Sequence, residues 1–364
     1  MWWRRIKTPH DLVKQPLQAL FRTLGARLLG LARRLRPPSA CPEEIRDILV
    51  VRRNRLGDAV LTAQCLRALL DNRPSLLVTV VTNDYSREIY EYLLPEAEVL
   101  VLPEKYFGTP LGNFWHPEVL LRRPRRFDVS LIASGSFSSR SILLLLLFKS
   151  RFRVGVRDDR RPSLFEAALD ACIPMNELSS KTHQAVKVSQ IFALAGLPAI
   201  PPPLPPLPSQ SPVQSVLLFT DCNRPESLIS MTLWAAFAAA LQARGMLVRV
   251  CGQRRGADFG EAVERVFCKD TGAMLRAIQN CDHVVCSEGG ASHMGALMRR
   301  KVTVFSGVSI MQTWFPVSLD CTLLERGSLP STLVLDEMLR AFDRCHPDGV
   351  SEKECFPQGL DHGG

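Results

Sequence analysis

Two short turns carry residues whose types and spacing could do chemistry. One is SEGGASH, residues 287–293, which sets Glu288, Gly289, Gly290 and His293 between an apolar strand and a helix. The glycines remove side chains where a ligand would approach the backbone. The helix behind them directs free N–H groups and the positive end of its dipole at that point. A diphosphate fits such a turn. His293, one helical step in, could donate to a phosphate oxygen, or be a helix-face histidine satisfied by neighbouring backbone. The other turn is RRNRLGDAVLT, residues 52–62. Gly57 permits a tight turn or a close backbone approach. Asp58 stands where a helix begins and reads equally as a helix cap or as a functional carboxylate. Arg52, Arg53 and Arg55 add positive charge to the same rim.

Other chemistries fit less well. A nucleophile elbow needs GxSxG, but after Gly290 and Ser292 the next glycine, Gly295, falls one residue late. Neither a dinucleotide fingerprint nor a P-loop is present. The 11 cysteines are scattered without a CxxC pair, and the 7 histidines lack HExxH spacing, so neither a disulfide framework nor a metal site is expected. The cysteines read as reduced thiols, several of them in the core.

The elements that must position these turns alternate. Strands are expected at residues 47–52, 76–82, 99–102, 128–133 and 152–156, with helices at 59–70 and 182–195. The leucine run at 143–147 reads as a helix buried on most sides. After the proline-rich GLPAIPPPLPPLPSQSP the pattern restarts. Strands are expected at 215–220, 247–251, 283–286 and 302–305, and helices at 231–244, 257–267, 273–279 and 292–298. Such alternation is the signature of parallel sheets covered by helices. The chain therefore divides into a basic amphipathic segment (1–43), a Rossmann-like domain (44–197), an extended linker (198–212), a second Rossmann-like domain (213–345) and a polar tail (346–364). At 364 residues, two doubly wound domains suit a chain longer than the roughly 250–300 residues at which single cores stop growing.

A formal net charge of +9 suits an anionic partner. Nucleic acid is not expected, because the arginines are dispersed and no basic recognition helix stands out. In the amino-terminal segment, apolar positions from Leu17 recur at helical spacing with Arg22, Arg27, Arg33 and Arg34 between them. That pattern suits a helix lying on an anionic membrane surface, a helix packed on its own domain, or a basic tail. Its apolar runs are too short for a membrane span or a secretory signal.

Taken together, ILVVRRNRLGDAVLTAQCLRALLDNRP and VVCSEGGASHMGALMRRKVTVFSG resemble the two signatures of glycosyltransferase family 9, the lipopolysaccharide heptosyltransferases. The resemblance spans roughly residues 45–315. It implies a GT-B fold, an α/β architecture of two Rossmann-like parallel-sheet domains facing a central cleft. It also implies metal-independent, inverting transfer of a heptose-like sugar from a nucleotide-diphosphate donor, with no cofactor. ADP-heptose would be the donor, and a lipid-linked or oligosaccharide glycan of the lipopolysaccharide-core type the acceptor. The setting would be cytoplasmic, peripheral on the inner membrane. Carried over residue by residue, Asp58 would be the general base. Arg55 and Gly57 would meet the acceptor, while Thr220, Ser230, Glu288, Gly289, Gly290 and His293 would line the donor. Two positions depart from the family pattern: Ser230 stands where a lysine is usual, and Glu288 where an aspartate is usual. These departures keep a second reading open, a non-catalytic protein that binds nucleotide sugars or glycans. Arg224, Arg254 or Arg255 could supply the missing cation.

Overall fold

The computed structural model describes residues 39–344 apart from 54, 103–115, 117–118, 120, 122–124, 160–163, 179–181, 200, 202–212, 253–258, 261–262, 309–312, 319, 328 and 330–332. The expected membrane-surface helix, most of the proline-rich linker and the polar tail lie outside the described residues.

The first half contains β1 (Asp47–Val51), α1 (Leu56–Asn72), β2 (Leu77–Thr82), α2 (Arg87–Leu93), β3 (Glu98–Val101), β4 (Arg126–Ile132), α3 (Ser139–Leu145), β5 (Lys149–Arg157), β6 (Ala171–Pro174) and α4 (Gln184–Ala193). The second contains β7 (Ser215–Phe219), α5 (Met231–Ala243), β8 (Leu247–Cys251), β9 (Glu264–Val266), α6 (Thr271–Gln279), β10 (His283–Ser287), α7 (Gly290–Leu297), β11 (Lys301–Ser306), β12 (Cys321–Glu325) and α8 (Leu335–Asp343). All the strand pairs are parallel. The sheets run β3-β2-β1-β4-β5-β6 and β12-β11-β10-β7-β8-β9, the same doubly wound order read from opposite edges. Central strands are buried on both faces, which is why β1 (DILVV) and β10 (HVVCS) read as continuous apolar runs rather than alternating ones.

In each sheet the chain reverses direction at one point, between β1 and β4 and between β7 and β10, and α/β sheets bind ligands outside the carboxyl ends of strands at such points. The turns singled out in the sequence leave β1 and β10. The helices they lead into, α1 and α7, pack directly on each other. One apolar cluster runs through both, joining Val60 and Leu66 of α1 to Met294 and Leu297 of α7. Two hydrogen bonds also join the halves: His183 Nε2 to the Phe315 carbonyl at 2.7 Å, and Thr271 Oγ1 donating to the Tyr85 carbonyl at 2.6 Å.

The described residues between 257 and 267 do not form the expected helix. Glu264–Val266 is instead the edge strand β9, paired with β8. The open edge of β8 supplies backbone partners that outweigh the weak helical spacing of these residues. No helix among the described residues is long and apolar enough to cross a membrane.

Candidate functional site

The helix starts differ in how their first N–H groups are satisfied. Ser138, His183, Ser230 and Asp270 each accept a hydrogen bond from the first turn of α3, α4, α5 and α6. The amino ends of α1 and α7, capped by Arg55 and Gly289, receive no such side-chain bond, nor do those of α2 and α8. At α1 and α7 these orphan donors sit at the reversal points of the sheets, where an anion can accept from them.

The two glycines ahead of α7 do different work. Gly289 has φ 150°, a conformation side chains rarely adopt, and a Cβ built on it would meet nothing within 4 Å. Its bare backbone faces open space. Gly290 is covered instead: a Cβ there would stand 2.9 Å from Leu56 Cβ, so this glycine lets α1 approach α7. Gly57 has the same role from the other side, since its Cβ would lie 2.6 Å from His293 Cδ2. The glycines of the two turns thus meet at one helix contact.

His293 is buried and its Nδ1 finds no hydrogen-bond partner among the described residues. Burial pushes its pKa down to about 3, the nearby His183 adds to this, and the Trp314 backbone opposes it. At neutral pH it is an uncharged imidazole, able to donate a hydrogen bond but not to offer a positive charge. His183 is also shifted down, first by burial and then by Lys187, against its bond to Phe315. Because its Nδ1 accepts from Ala185 N and its Nε2 meets a carbonyl, it is held as the Nε2–H tautomer.

Asp58 lies in the first turn of α1 but does not cap it. The guanidinium of Arg52 stands beside it, with Nη2 2.7 Å from Asp58 Oδ1, and both side chains are at most 5% exposed. The contact lies outside hydrogen-bonding geometry, so the attraction is mainly Coulombic. Arg52 Nη1 also donates to the Ala133 carbonyl and so ties the ends of β1 and β4. The expectation that Arg52, Arg53 and Arg55 share a charged rim therefore holds only for Arg55, which is exposed. Arg53 is turned inward, where its Nη2 donates to the Leu102 carbonyl at 2.9 Å. Arg52 is drawn inward by Asp58.

In the second half, Glu288 bridges neighbouring loops. Its Oε1 pairs with Arg224 Nε at 2.7 Å, and its Oε2 accepts from Ser306 Oγ at 3.1 Å. Arg224 thereby cancels a carboxylate that would repel an anion beside Gly289. Thr220 is buried at the end of β7, and Gly252, after β8, closes directly on its hydroxyl. Ser230, exposed at the start of α5, spends its hydroxyl on Leu233 N at 3.2 Å. Arg254 and Arg255 lie outside the described residues. Lys187 is a residue the sequence did not single out: it is buried, its stem lies against Gly135, and burial shifts its pKa down. Its only sequence signal is a lysine in the first turn of a helix, where a cation opposes the dipole. Among the described residues no group of three or more His, Cys, Asp or Glu is placed to hold a metal ion.

Two doubly wound domains with their reversal points turned toward a common helix contact define a GT-B architecture. Solved structures share it. The chain is similar to the E. coli heptosyltransferase WaaC with ADP, at 14% identity and a TM-score of 0.66, over 82% of this chain and 100% of that one. It is similar to E. coli ADP-heptose lps heptosyltransferase II, at 15% identity and 0.63, over 82% and 98%. It is also similar to the glycosyl transferase family 9 protein from Veillonella parvula DSM 2008, at 15% and 0.62, over 87% and 97%. At these identities the likeness is one of fold. No protein-family model matches the sequence, and no curated protein matches it.

Proposed function

We propose that the chain is a glycosyltransferase that moves a sugar, of the heptose class, from a nucleotide diphosphate to a glycan acceptor with inversion. The observation that carries this reading is the juxtaposition across the two domains: the uncapped α7 start with the open face of Gly289 lies against the α1 turn that bears Asp58. The leaving diphosphate would take hydrogen bonds from the first N–H groups of α7, whose dipole meets the charge that grows as the bond to the anomeric carbon breaks. The acceptor hydroxyl would attack the opposite face of that carbon while Asp58 takes its proton. Arg52, standing 2.7 Å from Oδ1, would hold the carboxylate in place for that step. The fold likeness to heptosyltransferases crystallised with ADP supports the choice of an adenine nucleotide donor. A lipid-linked acceptor of the lipopolysaccharide-core type, and binding of the basic amino-terminal segment to a membrane surface, belong to the same proposal, as do the domain limits inferred from sequence.

The Arg52–Asp58 pair also favours a second reading, a binding protein without transferase activity, since a carboxylate held by a buried guanidinium is engaged before any substrate arrives. Incubating the purified chain with ADP- and UDP-sugars and core oligosaccharides, and following glycan mass, separates the two. Transfer is expected. Saturable nucleotide-sugar binding with no product from any acceptor would favour the binding protein.

A further inference from the structure

Away from the α1–α7 contact, the second sheet brings two cysteines together. Cys251 is the last residue of β8, and in the parallel register it stands opposite Val266, two residues before Cys268. The thiols meet beyond the ends of the strands, with Cys251 Sγ donating to Cys268 Sγ at 3.3 Å. Their surroundings differ: Cys251 is buried, whereas Cys268 is partly accessible. The shared hydrogen bond stabilises negative charge on one sulfur at the other's expense. It pulls the Cys268 thiol below its ordinary range and, with burial, pushes Cys251 upward. Cys65 and Cys281, by contrast, are pushed up to about 12 by burial, and Cys286 also moves upward. A thiolate-prone, accessible sulfur next to a buried thiol is the arrangement of an attacking and a resolving cysteine.

We propose that Cys268 and Cys251 form an oxidisable dithiol that a hydroperoxide closes into a disulfide at the carboxyl ends of β8 and β9. Cys268 thiolate attacks one peroxide oxygen, the O–O bond breaks, and Cys268 becomes a sulfenic acid as the departing oxygen leaves protonated. The Cys251 sulfur then attacks the Cys268 sulfur, and the S–O bond breaks. Hydroxide departs with the Cys251 proton as water. With hydrogen peroxide the balance is two thiols and one peroxide to one disulfide and two waters. Closing the gap to a bonded distance of about 2.05 Å draws Cys251 toward Cys268. The next residue, Gly252, moves with it, and Gly252 is the residue packed on the Thr220 hydroxyl. Oxidation therefore reshapes the mouth of the second sheet. Any effect on nucleotide affinity rests on the donor site proposed above, whereas formation of the bond does not.

The test is peptide mapping of the full-length protein under non-reducing conditions after graded hydrogen peroxide. A peptide pair linked through Cys251 and Cys268, short of two hydrogens and released by dithiothreitol, is the expected result. In Cys251→Ser the reaction should stop at Cys268, which a dimedone probe then labels, and Cys268→Ser should give neither product. Two outcomes would overturn the proposal. One is oxidation of the exposed Cys41 at peroxide levels that leave the pair unlinked; the other is failure of dimedone to label Cys268 in Cys251→Ser.

Discussion

Replacing Asp58 by Asn tests the buried pair and the proposed base together, and two readouts keep them apart. The substitution leaves a guanidinium 2% exposed without a counter-charge. Breaking a buried pair from one side costs about 3–5 kcal/mol. The asparagine carbonyl can still approach Nη2, and Arg52 keeps its bond to the Ala133 carbonyl, so a value near the lower bound, about 3 kcal/mol, is expected. For a domain of this size that corresponds to a fall in Tm of roughly 6–12 °C. Transfer, scaled to the folded fraction from urea unfolding, should fall about 10²–10⁴-fold, the range for loss of a general base. The double variant Arg52→Met with Asp58→Leu removes both charges, and apolar replacement of a buried pair is often neutral or stabilising. It should regain most of the lost stability and none of the activity. An Asp58→Asn protein as stable as wild type would refute the buried pair. Turnover within a few fold of wild type in the same protein would refute the base.

Three further outcomes follow from the helix contact and its surroundings. Gly57→Ala drives a methyl into the His293 ring, and the forced shift should cost about 1–3 kcal/mol in urea unfolding, offset in part by alanine's better helix propensity; the double variant Gly57→Ala with His293→Ala should show strong non-additivity. His293 has a folded pKa far below its unfolded value, so below pH 6.5 the unfolded chain binds the extra proton. Stability should therefore fall on acidification through the window from 6.5 toward about 3, by about 1.6 kcal/mol between pH 6.5 and 5, and His293→Asn should flatten that part of the profile. Ser230→Ala removes the cap of α5 and should cost about 1 kcal/mol in thermal unfolding.

How much of this was legible in the sequence depends on what each element needed from its neighbours. The central strands could be read because burial on both faces makes them plain apolar runs, as in β1 and β10. The edge strand β9 could not: ERV has one apolar residue, and only the open edge of β8 makes it a strand. The turns with Asp58, Gly57, Gly289 and His293 stood out because glycine and charge at a strand-to-helix junction have few uses. Their partners did not. Nothing in RRNR distinguishes an arginine drawn in by Asp58 from one left at the rim. The adjacent glycines of SEGG look alike, yet one faces open space and the other holds Leu56. The bond from His183 to Phe315 joins residues 132 positions apart, beyond the reach of any local pattern.

The open face of Gly289 as the seat of a diphosphate is tested most directly by titrating ADP into wild-type protein and Gly289→Ala by calorimetry, with adenosine as control. The added methyl projects into the open space and strains a backbone at φ 150°. Losing one hydrogen bond to a charged phosphate costs about 1.5–3 kcal/mol, so ADP affinity should fall at least about tenfold while any adenosine binding stays unchanged. Equal ADP affinity in the two proteins, or no binding of ADP to the wild type, would contradict it.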